Sequence, residues 1–416
     1  MRRLALFAAL AAFLLLGGAA EAQTEAALKA GLKAAWRGAT GASGAYVLNA
    51  TKNRVLFQSR ASAPRILASN TKLFTMSAIL AKLGSDATLA TELESDAETD
   101  PTTGVLKGDL YLHGGGDPTF GTDSFDKRFY GGRGATEQDL AAELAATGIT
   151  EIRGRVVGDE SRFDALRGGP SSGFGVSVVD LGGPLSALSF NRGLASETGG
   201  SIQRNPPLFA AQQLTRALEK EGINVTRSAT TGTATGDAKV LASVESPPLA
   251  QLVRLTLKPS DNWFAEMLLK DLAVAGGRKG TTTTGAQAAA AFARRLGSGV
   301  SMNDGSGLSR ADRASPRQVV KLLDRMRNRP EFDALFTALP IAGRDGTLHD
   351  RMRHGAARGR CRAKTGTLSN VSALSGYCNS RSGDLIEFSF LMNRAGVIGA
   401  RNVQDRMANA MAAFSG

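Results

Sequence analysis

Three short groups of residues could do chemistry together. Ser69-Asn70-Thr71-Lys72 sets a hydroxyl and an amine three residues apart. On a helix that spacing puts both side chains on one face, one turn apart. A serine hydroxyl is a weak nucleophile until a neighbouring base takes its proton, and a neutral lysine amine can be that base. A helix N-terminus adds partial positive charge and free N–H groups beside the oxygen. Ser260-Asp261-Asn262 offers a second hydroxyl and an amide ahead of an apolar, helix-like run. Lys364-Thr365-Gly366 lies on a strand-like stretch, where the lysine is a fixed cation for a carboxylate and the glycine allows a ligand close to the backbone.

Each group is weak by itself. S-x-x-K recurs at Ser124-Phe125-Asp126-Lys127, in a Gly-rich stretch with no apolar helix behind it, which reads as surface loop. S-x-N recurs at Ser189-Phe190-Asn191, and both copies could be turn or capping residues. Ser69 could be a plain N-cap, and Lys364 a protective lysine on an edge strand. Gly169-Pro170-Ser171-Ser172-Gly173 matches G-x-S-x-G, but a nucleophile elbow needs a strand before it and a helix after it, and here the surroundings are Gly/Ser-rich loop. His113, His349 and His354 are candidates for a triad base, yet their settings read as surface.

The elements around these groups are those of a globular chain. Of 416 residues, 42% are hydrophobic and 21% charged, which excludes a wholly disordered or fibrous protein and leaves room for two or three cores. The net charge of +12 comes from no single basic run, and no basic patch interleaves with aromatics, so nucleic acid is not an expected partner. Two cysteines and three histidines leave little for a metal site; neither metal nor cofactor is expected. Arg2 and Arg3, the apolar run Leu4 to Leu16 and Ala20-Glu21-Ala22 read as a signal peptide over 1–22. The protein is therefore expected to be exported, to the periplasm or extracytoplasmic envelope, with no transmembrane segment in the mature chain and with peripheral envelope association.

Strand-like runs at 45–48 and 54–57 precede a helix carrying Leu73, Phe74, Ser77, Leu80 and Leu83, with Gly84 as its stop. From 87 to 244 short β-type runs alternate with Gly-, Thr- and Ser-rich loops, interrupted by an amphipathic helix over 207–221. Helical patterns return over 249–256, 262–275, 284–296 and 319–326. A hairpin over 360–377, a third strand over 385–392 and a last helix over 400–414 follow. This organisation reads as one α/β (α+β) domain, 23–86 and 245–416, split by an inserted, mainly β region at 87–244.

The order Ser-x-x-Lys, Ser-x-Asn, Lys-Thr-Gly resembles the penicillin-binding protein and serine β-lactamase superfamily. The first gap, 191 residues from Ser69 to Ser260, is longer than a compact β-lactamase needs; the second, from Ser260 to Lys364, is 104. The chain is similar to the D-alanyl-D-alanine carboxypeptidase/endopeptidase family of low-molecular-mass penicillin-binding proteins (peptidase family S13, the PBP4 type), which carries extra domains between its first two motifs. The likeness extends to Leu112–Pro118, Gly154–Asp159, Leu185–Asn191, Asp304–Arg310, Asp345–Leu348 and the stretch from Arg362 to Tyr377.

That resemblance implies a transpeptidase-type domain, an antiparallel sheet flanked by helices, and a serine D,D-peptidase acting on peptidoglycan stem peptides. Ser69 is then the acylated nucleophile and Lys72 its base, with burial and the Lys364 cation lowering the lysine's pKa. Ser260 relays a proton to the leaving amine and Asn262 holds the substrate amide. Lys364, Thr365, Gly366 and Thr367 receive the terminal carboxylate, and the N–H groups of Ser69 and Thr367 form the oxyanion hole. Arg310 and Asp159 could read the charged end of the stem peptide, or be loop salt bridges. β-Lactams are expected as covalent acylating agents, and without an E-x-x-L-N glutamate their esters should persist. A β-lactamase or esterase of the same superfamily, and a non-catalytic envelope-binding protein, are the competing readings. Cys361 and Cys378 flank the Lys-Thr-Gly hairpin; facing each other across a turn at Ser369–Asn370, they are a disulfide candidate behind the site, or else two buried thiols.

Overall fold

The computed structural model describes residues 24–168, 181–197 and 200–416. The signal-like segment 1–22 and the Gly169–Gly173 motif lie outside the described residues. Elements are numbered in chain order.

The principal sheet is antiparallel throughout and joins both ends of the chain. Its strand order is β13 (Cys361–Leu368), β14 (Val371–Asn379), β15 (Leu385–Asn393), β1 (Ser43–Asn49), β2 (Arg54–Ser59). Alternation along the strands sends two sets of side chains to two cores. Phe388, Phe390, Leu374 and Cys378 face a core shared with Leu28 and Leu32 of α1 (Glu25–Ala35) and with Val403, Met407 and Met411 of α11 (Val397–Ala413). Leu391, Ala373 and Tyr377 face the opposite core, shared with α2 (Thr71–Leu83), α6 (Leu249–Leu257), α7 (Asn262–Ala275), α8 (Thr282–Arg295), α9 (Pro316–Arg327) and α10 (Phe332–Ala338). Helix α7 is buried on nearly every side, Trp263 through Ala273, its Glu266, Lys270 and Asp271 included.

A second sheet uses only residues 90–245. Its order is β10 (Thr230–Thr231), β8 (Val156–Asp159), β6 (Leu110–Gly114), β4 (Ala90–Ser95), β11 (Lys239–Glu245). The first and last of these strands in sequence, β4 and β11, pair antiparallel, so the chain enters and leaves this region side by side. Three two-residue strands, β5 (Val105–Leu106), β7 (Glu151–Ile152) and β9 (Asn224–Val225), form a parallel ribbon beside it. The region also carries α3 (Asp123–Phe129), α4 (Glu137–Ala146) and α5 (Pro206–Lys220). Only α5 has an expected counterpart; α3 and α4 start at capping threonines, Thr122 and Thr136, whose side chains accept from Phe125 and Asp139 N–H groups. Ser124 and Lys127 are thus on a short helix rather than a loop. They bond to Glu197 and Asp123 respectively, not to each other.

The hairpin β13–β14 has the expected register. Cys361 pairs with Cys378, Leu368 with Val371, and the turn falls at Ser369–Asn370. Cys361 and Cys378 form a disulfide. It lies in the α1/α11 core, while Lys364 points away from that core.

Candidate active site

The nucleophile candidate is held by its neighbours before its own helix begins. A 3-10 turn, Ala68–Asn70, leads into α2. Ala68 sits in the left-handed region at φ 47°, an uncommon place for a residue with a Cβ. Three clamps hold it there. Short strand β3 (Arg65–Ile66) pairs with β12 (Arg313–Ala314). Asn393 on β15 bonds both backbone groups of Ile66, at 2.9 and 3.2 Å. Asn70 donates to the Lys364 carbonyl at 3.1 Å, tying this turn to β13. Gly307, at φ 85°, packs so close that a Cβ would stand 1.9 Å from the Ala68 carbonyl oxygen, so no other residue fits the turn.

At the second residue of α2, Lys72 is fully buried and its ammonium is fully bonded. It donates to Ser69 Oγ at 3.2 Å, Asn262 Oδ1 at 2.7 Å and the Ser306 carbonyl at 2.6 Å. Burial pulls its pKa down to about 8, against the upward pull of Asp304, Asp261, Glu266 and Asp312. The expected help from Lys364 takes another form. Lys364 is itself fully buried, and both burial and the Lys72 charge hold its pKa well below the usual lysine range. Lys364 donates to Ser260 Oγ at 2.7 Å and to the Thr365 carbonyl at 2.9 Å.

Ser260, also left-handed at φ 68°, is fixed by its successor. The Asp261 carboxylate caps α7 through the Phe264 N–H and grips Arg192 with two bonds, at 2.5 and 2.9 Å. Arg192 comes from the segment that contains Ser189-Phe190-Asn191. That second S-x-N copy is structural: Asn191 accepts from the Thr122 N–H, while Ser189 is buried. On the other side, Lys258 donates to Asp345 at 2.6 Å, and the Thr347 N–H donates to the Lys258 carbonyl. Thr347 in turn accepts from Thr365 Oγ1 at 2.7 Å. The Asp345–Leu348 turn therefore braces the second and third motifs against each other.

Behind Lys72 lies a group of buried carboxylates. Glu266 accepts from the Gly305 and Ser306 N–H groups, fixing the carbonyl that holds the ammonium. Asp304 accepts from Gly307 and Ser309, and Asp312 from Thr71 Oγ1 and Asn303. Burial and mutual repulsion raise Glu266 to about 7 and Asp312 well above the usual carboxylate range.

All three motifs open onto one cleft of about 490 Å³, lined by Ser69, Ser260, Asn262, Thr347, Thr365 and Thr367 together with Arg351 and Arg401. Strand β13 is the edge of its sheet, so its outer backbone groups face this space. Gly366 is needed there: a Cβ would stand 2.9 Å from the Leu67 carbonyl and 3.1 Å from the Ala68 Cβ. An activated hydroxyl, a second hydroxyl on a buried amine, an amide and an edge strand in one cleft can run acyl transfer.

The remaining candidates fall outside this constellation. Arg310 is exposed and bonds to the hairpin turn, at the Ser369 carbonyl and Asn370 Oδ1. Asp159 is not at the cleft. Its carboxylate lies 3.4 Å from His113 Nδ1 and accepts from the Ser161 and Ala234 N–H groups within the second sheet. Of the two roles left open for Asp159, these contacts match the internal ion pair. His349 pairs with Asp350 at the surface. No metal-ligating cluster occurs among the described residues. Sequence reasoning missed Arg401, Arg351 and Ser306, and gave Thr347 no role. Thr347 sits in a quoted motif, so a signal existed; Arg401 reaches the cleft from a helix with no motif at all.

The D-Ala-D-Ala carboxypeptidase 3 (S13) family model matches residues 25–196 and 194–414. A D-alanyl-D-alanine carboxypeptidase of Actinomadura sp. (strain R39) is 30% identical, covering 90% of this chain and 82% of that protein. The crystal structure of penicillin binding protein 4 from Haemophilus influenzae superposes with a TM-score of 0.75 at 21% identity, over 90% of this chain and 98% of that one. A predatory endopeptidase from Bdellovibrio bacteriovorus superposes at 0.57 with 18% identity, over 90% and 94% of the two chains.

Proposed function

The chain belongs to the D-Ala-D-Ala carboxypeptidase 3 (S13) family, and from that premise we propose that Ser69 carries out its peptidase chemistry on peptidoglycan stem peptides. The family makes it a serine-type D-Ala-D-Ala carboxypeptidase, a penicillin-binding hydrolase; the β-lactamase or esterase alternative is not favoured. The observation that carries the assignment of residues is the ammonium of Lys72, which bonds Ser69 Oγ and Asn262 Oδ1 at once.

Neutral Lys72 takes the Ser69 proton as Oγ attacks the penultimate D-Ala carbonyl. Ser69 and Thr367 N–H groups hold the oxyanion at the β13 edge. Ser260, bonded to Lys364, gives its proton to the leaving amine and takes in its place the one Lys72 had removed, the C–N bond breaks and D-Ala departs. Water then attacks the Ser69 ester, neutral Lys72 takes its proton, and Lys72 delivers that proton to Ser69 Oγ as the ester C–O bond breaks. Asn262 orients the substrate amide, and Thr365 and Thr367 bond its carboxylate. The same steps serve a D-Ala–diamino-acid cross-link. Arg310, exposed and bonded to the hairpin turn, is the residue proposed to meet the stem-peptide side chain. Export is supported by the signal-like segment 1–22, and no helix among the described residues is long and apolar enough to cross a membrane.

The test is D-Ala release from a pentapeptide ending in D-Ala–D-Ala. Wild type should release it and Ser69→Ala should not; full activity in Ser69→Ala would move the nucleophile elsewhere.

A further inference from the structure

The cation expected to hold the substrate carboxylate is turned to other work. Lys364 spends two N–H bonds on Ser260 Oγ and the Thr365 carbonyl. It is completely buried, and a second ammonium, Lys72, stands close enough to disfavour its charge. A group so placed is suited to proton relay through Ser260 more than to steady anion binding.

Another cation faces the same cleft. Arg401, on the second turn of α11, donates from its guanidinium to Thr367 Oγ1 at 3.2 Å. It lines the space occupied by Ser69, Thr365 and Thr367, and is exposed. Among the described residues no carboxylate pairs with it. Neighbouring Arg351, in contrast, is neutralised: it bonds Asp405 at 2.5 and 3.1 Å and Gln404 at 3.1 Å, and its last contact is the Arg401 carbonyl at 3.4 Å. Arg351 thereby pins the turn of helix from which Arg401 reaches out. Asp350, the acid of the same cleft wall, stands 2.9 Å from His349 Nδ1 and 3.8 Å from the Arg353 guanidinium, and makes no ion pair with Arg401. A guanidinium keeps its charge at any working pH and can grip a carboxylate with two parallel bonds.

We propose that Arg401 is a specificity-determining residue that binds the α-carboxylate of the leaving D-residue, beside the Thr365 and Thr367 hydroxyls. This rests on the D,D-peptidase reading. Lys364 then belongs to the proton path and Arg401 to recognition of a free C-terminus.

The experiment compares an acyl-D-Ala–D-Ala peptide bearing a free carboxylate with the same peptide as its C-terminal amide, on wild type, Arg401→Gln and Arg401→Lys. Arg401→Gln should raise KM for the acid by about tenfold or more, the usual weight of one charge-assisted contact. Its kcat should hold within about threefold, and kcat/KM for the amide should not change, so the preference for acid over amide collapses. Arg401→Lys should recover part of it. An unchanged acid-to-amide ratio in Arg401→Gln, or a parallel fall on both peptides, overturns the proposal while leaving the peptidase reading intact. A wild type that cleaves neither peptide overturns both.

Discussion

A buried lysine acting as base makes the pH dependence of acylation a quantitative matter. An ordinary lysine at pH 7 is neutral in about 3 molecules per 10,000. With Lys72 drawn down to about 8, roughly one in ten is neutral, a gain of about two to three orders of magnitude, on the order of 3 kcal/mol. The second-order rate of acylation by a fluorescent penicillin should therefore climb about tenfold per pH unit from 5.5 to 7.5 and bend to a plateau near pH 8. Lys72→Met removes the base and with it about 10²- to 10⁴-fold of rate, and the slope should vanish. The linkage has a definite sign. The folded pKa lies below the unfolded one, so the unfolded chain binds more protons between pH 8 and 10.5. Stability from this group is full above 10.5 and is lost as pH falls through about 8. Lys72→Met should abolish that part of the pH–stability curve. A rate profile already flat by pH 6, or still rising at pH 9.5, would refute the neutral-lysine mechanism.

Two further predictions concern the surroundings. Glu266→Gln removes an acid that raises the Lys72 pKa while keeping an oxygen for the Gly305 and Ser306 N–H groups, so the bend should move to lower pH at an unchanged plateau; Glu266→Ala should lower the plateau as well, because the loop behind Ser306 loses its anchor. A stopped-flow pH series on both variants separates the two effects. The Cys361–Cys378 disulfide closes a loop with a sequence separation of 17, worth about 3 kcal/mol in the chain-entropy picture. Urea unfolding with and without reductant should show that loss in wild type and none in the double Cys→Ser variant.

Much of this arrangement could be read in the sequence because its signals are local. The three-residue spacing of Ser69 and Lys72 brings amine and hydroxyl together across the turn into α2, and the counting from Cys361 to Cys378 fixes the hairpin centre at Ser369–Asn370. Phe388, Phe390 and Leu391 announce a strand by composition. What stayed hidden depends on contacts distant in sequence. Arg192 secures Asp261 from 69 residues away, and Arg401 meets Thr367 across 34. Helices α3 and α4 were masked by glycine-rich flanks, although Thr122 and Thr136 carry the capping signal. The partners of Asp159 could not be named from sequence, because His113 and the Ala234 N–H come from separate strands and loops. The acid group behind Lys72 is equally scattered, over Glu266, Asp304 and Asp312, and only folding reveals that it opposes the effect of burial.

The identity of the acylated residue is the most direct test of all. Treated with a penicillin and digested with trypsin, the protein should carry the adduct on the peptide Ile66–Lys72, and Ser69→Ala should carry none. An adduct on any other serine, the Ser124 or Ser171 peptides included, or undiminished labelling of Ser69→Ala, would contradict the assignment of Ser69 as nucleophile.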